Sequence, residues 1–255
     1  MDVRVCFFVS CATILWAKMR DKMMRTPWGN FPDTIIDRKL GDATSHPLYE
    51  NAKSGDIPSA FELAKDLISD DAVQRLKALI GDKEVVFAPI HAEEMSGRNM
   101  IPMATAMVLA RKLKQSVDLN IVQATKVSRT GGDGWHRLAN LPDFDGRTDA
   151  QYVIMVDDTQ TQGGTFAAFK GHIESFNSLV IGSYALTGKQ YSAQLRLDNE
   201  MLALLREKYG TIEQWWQETF GYDFSKLTQS EARFIIKSGK TPNEVRDRIL
   251  ASKQS

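Results

Sequence analysis

The chain has 255 residues, 43% hydrophobic and 25% charged, with 32 Lys and Arg set against 32 Asp and Glu. That length can bury a substantial core, and a formal charge of zero argues against a protein held to nucleic acid by bulk electrostatics. Two cysteines, Cys6 and Cys11, can build neither a disulfide framework nor a CxxC metal knuckle, so a reducing, cytoplasmic setting is the simpler expectation.

Val5 to Ala17 is an apolar run, VCFFVSCATILWA, shorter than the roughly 20 residues a spanning helix needs. It has the length of a signal-peptide core, but its basic residues (KMRDKMMR) follow it and no small-x-small cleavage site comes next. A covered first element, or a true start at Met19 or Met23, fits better, and no membrane partner is expected. Residues 28–55 are polar and turn-rich, an irregular lead-in. Asp56 caps an expected helix to about Ile68 with Pro58 in its first turn. Asp70 or Asp71 caps a second, through Ile80, which Gly81 closes.

The period then changes. Glu84–Ile90, Leu119–Thr125, Tyr152–Val156 and Ser178–Leu186 read as strands, and Met100–Leu113 and Thr165–Ser175 as helices between them. Apolar strands alternating with helices predict an α/β fold, a mostly parallel central sheet flanked by helices. After Gly188 the pattern is helical, with Asn199–Tyr209 followed by three capping-box spacings at Thr211–Gln214, Thr228–Glu231 and Thr241–Glu244. The expected division is 1–83, lead-in and helices that could form a hood; 84–190, the α/β core; and 191–255, a C-terminal α-helical appendage.

One stretch carries the chemistry: Tyr152 to Thr165, YVIMVDDTQTQGGT. In parallel sheets ligands bind beyond the carboxyl ends of the strands, and this loop falls at such an end. Gly163 and Gly164 let the backbone approach a ligand, and the first N–H groups of the helix opened by Thr165 suit a phosphate. Thr161 and Thr165 add hydroxyls. Asp157 and Asp158 suit a hydroxyl-bearing group or hydrated magnesium. A ligand with phosphate at one end and a vicinal diol at the other satisfies both halves, which describes a ribose 5-phosphate unit. The order of residues makes a simple strand-closing turn the weaker reading. No Gly-x-x-x-x-Gly-Lys-Ser/Thr motif is present, and Gly131-Gly-Asp-Gly134 follows a strand too loosely for a dinucleotide fingerprint.

Four apolar residues, two acids, two variable positions and Thr-x-Gly-Gly-Thr resemble the phosphoribosyl-diphosphate (PRPP) loop of the type I phosphoribosyltransferases. The resemblance spans residues 84 to 190. It implies that Asp157 and Asp158 hold the ribose hydroxyls and that Thr159 and the run Thr161, Gln162, Gly163, Gly164 and Thr165 cradle the donor. Mg2+ would bridge ribose and diphosphate, anchored by Asp157 and Asp158 largely through ligand and water. It also implies a diphosphate loop after an earlier strand, where Arg98 is the candidate, although Glu93 and Glu94 are unexpected beside a polyanion. His91 reads as a structural histidine at a strand end. A mobile lid would come from Lys126 to Arg137, with Lys126 in a catalytic role and Arg129, His136 and Arg137 facing the leaving diphosphate. Two departures matter. Thr161 stands where members acting on 6-oxopurines place an aspartate, and Gln162 replaces a small or hydroxyl residue.

The function expected is phosphoribosyl transfer from PRPP to a nucleobase-like nitrogen nucleophile, with small molecules as partners and a homo-oligomeric state. The alternative is a non-catalytic relative that binds PRPP or a nucleotide and acts through its helical tail. Residues 230–253 also fit a helix–turn–helix whose Arg233, Lys237, Lys240, Arg246 and Arg248 could touch DNA phosphates. A plain packing hairpin is simpler, and no nucleic-acid partner is expected. Trp215, Trp216 and Phe220 are expected to bury against the sheet domain or a second subunit.

Overall fold

The computed structural model describes residues 25–92, 98–124 and 133–253. Seven strands occur among them: β1 (Ile35–Lys39), β2 (Val86–Pro89), β3 (Ser116–Val117), β4 (Val122–Gln123), β5 (Phe144–Asp145), β6 (Tyr152–Gln160) and β7 (Leu179–Gly188). Five form one sheet in the order β1-β7-β6-β2-β3, each neighbouring pair parallel. β4 and β5 pair antiparallel outside it.

Helices cover both faces, because β6 is apolar on both. Ile154 and Val156 pack with α1 (Tyr49–Lys53), α2 (Ile57–Leu67), α3 (Asp70–Ile80) and α4 (Ile101–Leu113), through Ala52, Leu63, Leu76 and Leu109. Val153 and Met155, pointing the other way as strand period requires, pack with Phe166 and Phe169 of α6 (Gly164–Glu174) and with Trp28 and Phe31 of the lead-in. The expected α/β class, with a mostly parallel sheet flanked by helices and a helical C-terminal region, is the architecture found. Among the described residues, no helix is long and apolar enough to cross a membrane.

Several local expectations need correction. The lead-in is not wholly irregular: IIDRK forms β1, which pairs with β7 at the sheet edge. The cap of α3 is Ser69, whose Oγ accepts from Ala72 N at 3.1 Å, while Asp70 and Asp71 sit in the first turn facing the helix dipole. Of Leu119–Thr125, Thr125 lies outside the described residues and only Val122–Gln123 is strand, β4, which pairs with β5 and does not join the five-stranded sheet. Lys114, in the left-handed conformation that ends α4, drops the chain straight into β3, so the pairing with β2 is taken earlier. β6 does not stop at Val156 but runs four residues further along β7, to Gln160 opposite Gly188.

The C-terminal helices are α7 (Asn199–Tyr209), α8 (Glu213–Phe220), α9 (Gln229–Lys237) and α10 (Pro242–Lys253). The Thr211–Gln214 box does not form, since a 3-10 turn over Gly210–Ile212 makes Ile212 the cap of α8. The other two spacings do: Thr228 with Glu231, fully reciprocal, and Thr241 with Glu244, whose carboxylate accepts from Thr241 N at 2.8 Å. Trp216 and Phe220 bury in these helices' own core with Tyr222 and Phe224, not against the sheet. That core also takes in Trp135 and Leu138 of α5 (Gly134–Ala139), a helix from between β4 and β5.

Candidate functional site

Chain order in the sheet locates the crevice. From β2 the chain moves outward to β3, then returns to lay β6 on the other side of β2 and β7 beyond it. The direction reverses between β2 and β6, the kind of switch point where a crevice opens past the strand ends. β2 stops pairing at Pro89 opposite Val156, and β6 continues with β7 alone. Asp157 and Asp158 are therefore the first residues of β6 with no β2 residue paired to them.

Being consecutive in a strand, the two carboxylates leave on opposite faces. Asp158 follows the parity of Val156 and meets the α1/α4 side, accepting from Asn99 Nδ2 at 2.6 Å. Asn99 in turn accepts from Ile101 N at 3.2 Å, which satisfies one opening N–H of α4. Asp157 follows the parity of Met155, and its Oδ1 accepts from Asp158 N at 2.8 Å. Thr187 Oγ1 donates to Asp158 O at 3.1 Å and lies 3.0 Å from Thr159 Oγ1, holding the end of β6 to β7. Both aspartates are half-buried and face a cleft of about 470 Å³. That cleft is also lined by Thr159, Thr161 and Thr165 from the loop, and by Tyr49, Lys53 and Asn99 opposite.

Lys53 donates to Tyr49 Oη at 2.8 Å. Partial burial works against its charge, but the Tyr49 hydrogen bond and the field of Asp158 outweigh that and raise its pKa above the ordinary lysine value. The cleft thus sets the Lys53 cation, with Arg137 also on its lining, against the acid pair.

The glycines have a role that the sequence did not disclose. Gly163 caps α6 with φ +79°, a left-handed conformation, and a Cβ there would stand 2.3 Å from Leu195 Cδ2. A Cβ on Gly164 would stand 2.5 Å from Glu231 Oε1. The bare backbone therefore lets the C-terminal region close onto the loop. Thr228 Oγ1 donates to Gln162 O at 2.6 Å. Glu231, 1% exposed, accepts from Arg25 at 2.6 and 2.8 Å and from Thr228 N at 2.9 Å. Burial opposes the Arg25 charge, yet Glu231 more than offsets this and keeps the guanidinium ionised. The inner half of the loop, Gly163 and Gly164, is packed; the outer half, Thr161, Gln162 and Thr165, stays partly exposed.

No family model matches this chain. Over 231 residues, 90% of its length, it is 42% identical to protein TraN of Escherichia coli, covering 51% of that protein. Over 159 residues, 62% of its length, it is 62% identical to an uncharacterized protein of Haemophilus influenzae, covering 36% of it. The chain thus spans about half or less of these relatives. Among solved structures, an adenine phosphoribosyltransferase aligns over 53% of this chain and 73% of its own, at 15% identity and a TM-score of 0.34.

The remaining expected site residues divide clearly. Arg137 lines the cleft, together with the recess at Gly163 and a groove on the far side of the loop. His136, one residue earlier, is turned toward Asn140, whose Nδ2 donates to its Nδ1 at 3.1 Å. Both sit on α5, a helix capped by Asp133 and pinned by buried Trp135 and Leu138, so this end of the expected lid is a fixed helix. Arg98 is half-buried beside Asn99 and is not among the cleft-lining residues. His91 is buried at the end of β2, with Nδ1 3.0 Å from Pro89 O, and one edge of it reaches the cleft. Lys126, Arg129, Glu93 and Glu94 lie outside the described residues, as does the run from Val5 to Ala17.

Sequence reasoning missed Asn99, Lys53, Tyr49 and Thr187. Tyr49 and Lys53 fell in the stretch read as lead-in, where a five-residue helix leaves too short a pattern to register. Asn99, two residues before the Ile-Pro that opens α4, carried a capping signal that could have drawn attention.

Proposed function

We propose that the chain binds PRPP in this cleft and transfers its phosphoribosyl group to a nitrogen of a nucleobase-like acceptor. The observation that supports this reading is that the acid pair and the loop hydroxyls of Thr161 and Thr165 face one open cleft at the sheet's switch point. In this reading Asp157 and Asp158 hold the ribose 2- and 3-hydroxyls, while Thr161, Thr165 and the opening N–H groups of α6 hold the 5-phosphate. The anomeric C–O bond to diphosphate weakens as the nitrogen approaches, and positive charge develops on the ribose beside the two carboxylates. Arg137 faces the departing diphosphate.

Among the described residues there is no cluster of three or more metal-ligating side chains. Two adjacent carboxylates at a cleft suit a magnesium ion held mainly by its ligand and by water. Such an ion would neutralise part of the leaving charge. Isothermal titration with PRPP and magnesium tests the assignment. The intact chain should bind saturably, and Asp157→Asn with Asp158→Asn should abolish binding while circular dichroism is unchanged. Equal affinity in the double variant would refute it.

A second reading has the same pocket bind PRPP without turnover and report occupancy through the helical region. The Thr228 bond to Gln162 and the Glu231 carboxylate at Gly164 favour it, since they tie the loop directly to α9. Diphosphate release, assayed with labelled PRPP and a panel of bases, separates the two. Release with at least one base supports transfer; saturable binding with none supports the second reading.

A further inference from the structure

Beyond the loop from the cleft lies a groove of about 600 Å³, within the range of small-molecule sites. Arg137, Lys189, Arg233 and Lys237 line it, and among the described residues no carboxylate does. In a chain whose acids and bases balance, four cations around one cavity concentrate a field suited to a polyanion. Tyr191, 62% exposed, braces two of them: Lys189 Nζ lies 5.9 Å and the Arg233 guanidinium 5.6 Å from its ring centre. Phe234 adds a second aromatic surface.

Phosphate alone does not account for the lining. Ser230, 7% exposed, borders the groove with its Oγ buried and unpartnered among the described residues. Gln162 Oε1 is likewise buried and unpartnered there. Buried polar atoms in native proteins are nearly always satisfied, and a carbonyl oxygen requires a donor, which an inorganic polyphosphate lacks. A ligand with several phosphates, an aromatic ring and N–H or O–H groups meets every feature at once.

We propose that this groove is a second ligand site, for a nucleoside triphosphate. Its phosphates lie among Lys189, Arg233 and Lys237, and its base or ribose donates to Gln162 and Ser230. Arg137 and Thr161 line both this groove and the cleft, and Gln162 lines the groove and the recess at Gly163. The site does not depend on the phosphoribosyl reading.

Titrations of the full chain with ATP, inorganic triphosphate and adenosine, without PRPP, test it. ATP should bind saturably at one site, with inorganic triphosphate and adenosine each weaker by roughly tenfold or more. Arg233→Glu with Lys237→Glu should lower ATP affinity by about tenfold or more, since charge-assisted phosphate contacts are lost and repulsion added. Asp157→Asn with Asp158→Asn should leave ATP affinity within about twofold, whatever it does to PRPP. If the charge-reversed variant loses its helical dichroism, Lys189→Glu carries the same expected loss. Absence of saturable ATP binding overturns the proposal. So does ATP binding that vanishes in the aspartate variant but survives charge reversal. Displacement of ATP by a single-stranded RNA oligonucleotide that binds at least about tenfold tighter would also overturn it, marking the groove as a nucleic-acid surface.

Discussion

Gly164 and Glu231 are 67 positions apart, yet each dictates what the other can be. The carboxylate is fixed by both Arg25 nitrogens and by Thr228 N, so it cannot swing away from an added side chain. Gly164→Val should therefore destabilise the fold by about 1–3 kcal/mol, the usual cost of overpacking, even with no ligand present. Urea unfolding measures this, and an unchanged midpoint would show that the loop has room to spare. Glu231→Gln should cost more, about 3–5 kcal/mol, because Arg25 would be left charged and buried against the ring of Tyr222 without a counter-ion. The acid pair behaves differently. Asp157 and Asp158 are half-buried at the edge of open space, and their replacement should register in ligand binding and little in stability.

At the level of elements, the start of α9 governs the loop. Thr228 accepts from Glu231 N at 3.0 Å as the helix cap and donates to Gln162 O at 2.6 Å, so one hydroxyl closes a helix and positions the loop. Thr228→Ala should lower stability by about 1–2 kcal/mol through the lost cap. It should also weaken PRPP binding, because the Gln162 carbonyl is released; Thr228→Ser, which keeps the hydroxyl, should restore both. Calorimetry on the two variants checks this pairing. The α9 capping box was legible from Thr228-Gln-Ser-Glu231, and α7 from the helical pattern of Asn199 to Tyr209. The strands β3 and β5 were not. Each is two residues long, and with so few positions no period exists to read. β6 was read short because Asp157 to Gln160 are polar, and strand pattern follows burial, whereas this end of the strand is held by backbone pairing to β7 alone.

Across the whole molecule, the lead-in straps the parts together. Arg25 joins Glu231, Trp28 Nε1 donates to Leu227 O at 2.9 Å, and buried Lys170 of α6 donates to Thr26 and Pro27 and pairs with Glu174. Acid stability should depend in part on one half-buried ring, that of His172. Burial lowers the His172 pKa below its ordinary value of 6.5, against the opposing effects of its hydrogen bond to Gly146 O and of Asp145. The unfolded chain then takes up the proton first as pH falls. The contribution from neutral His172 is present above about pH 6.5 and is lost progressively below it, down through the folded pKa. Unfolding free energies near pH 7.5 and pH 5.5 should differ less in His172→Gln than in the parent chain. An equal difference would mean that the ring titrates as it does in water.

Residue order alone was enough for the α/β class, the parallel strands and the acid–glycine loop at a strand end, because each is a local pattern of burial period or backbone freedom. Which partners meet around that loop was settled by packing at long range. Asn99 reaching Asp158, Lys53 arriving from a five-residue helix, and Glu231 closing on Gly164 are contacts between segments 59 to 67 residues apart, or placed by elements too short to carry a pattern. Local sequence encodes conformation through near neighbours; a side chain's companions across the fold depend on how whole elements stack, which no short window contains.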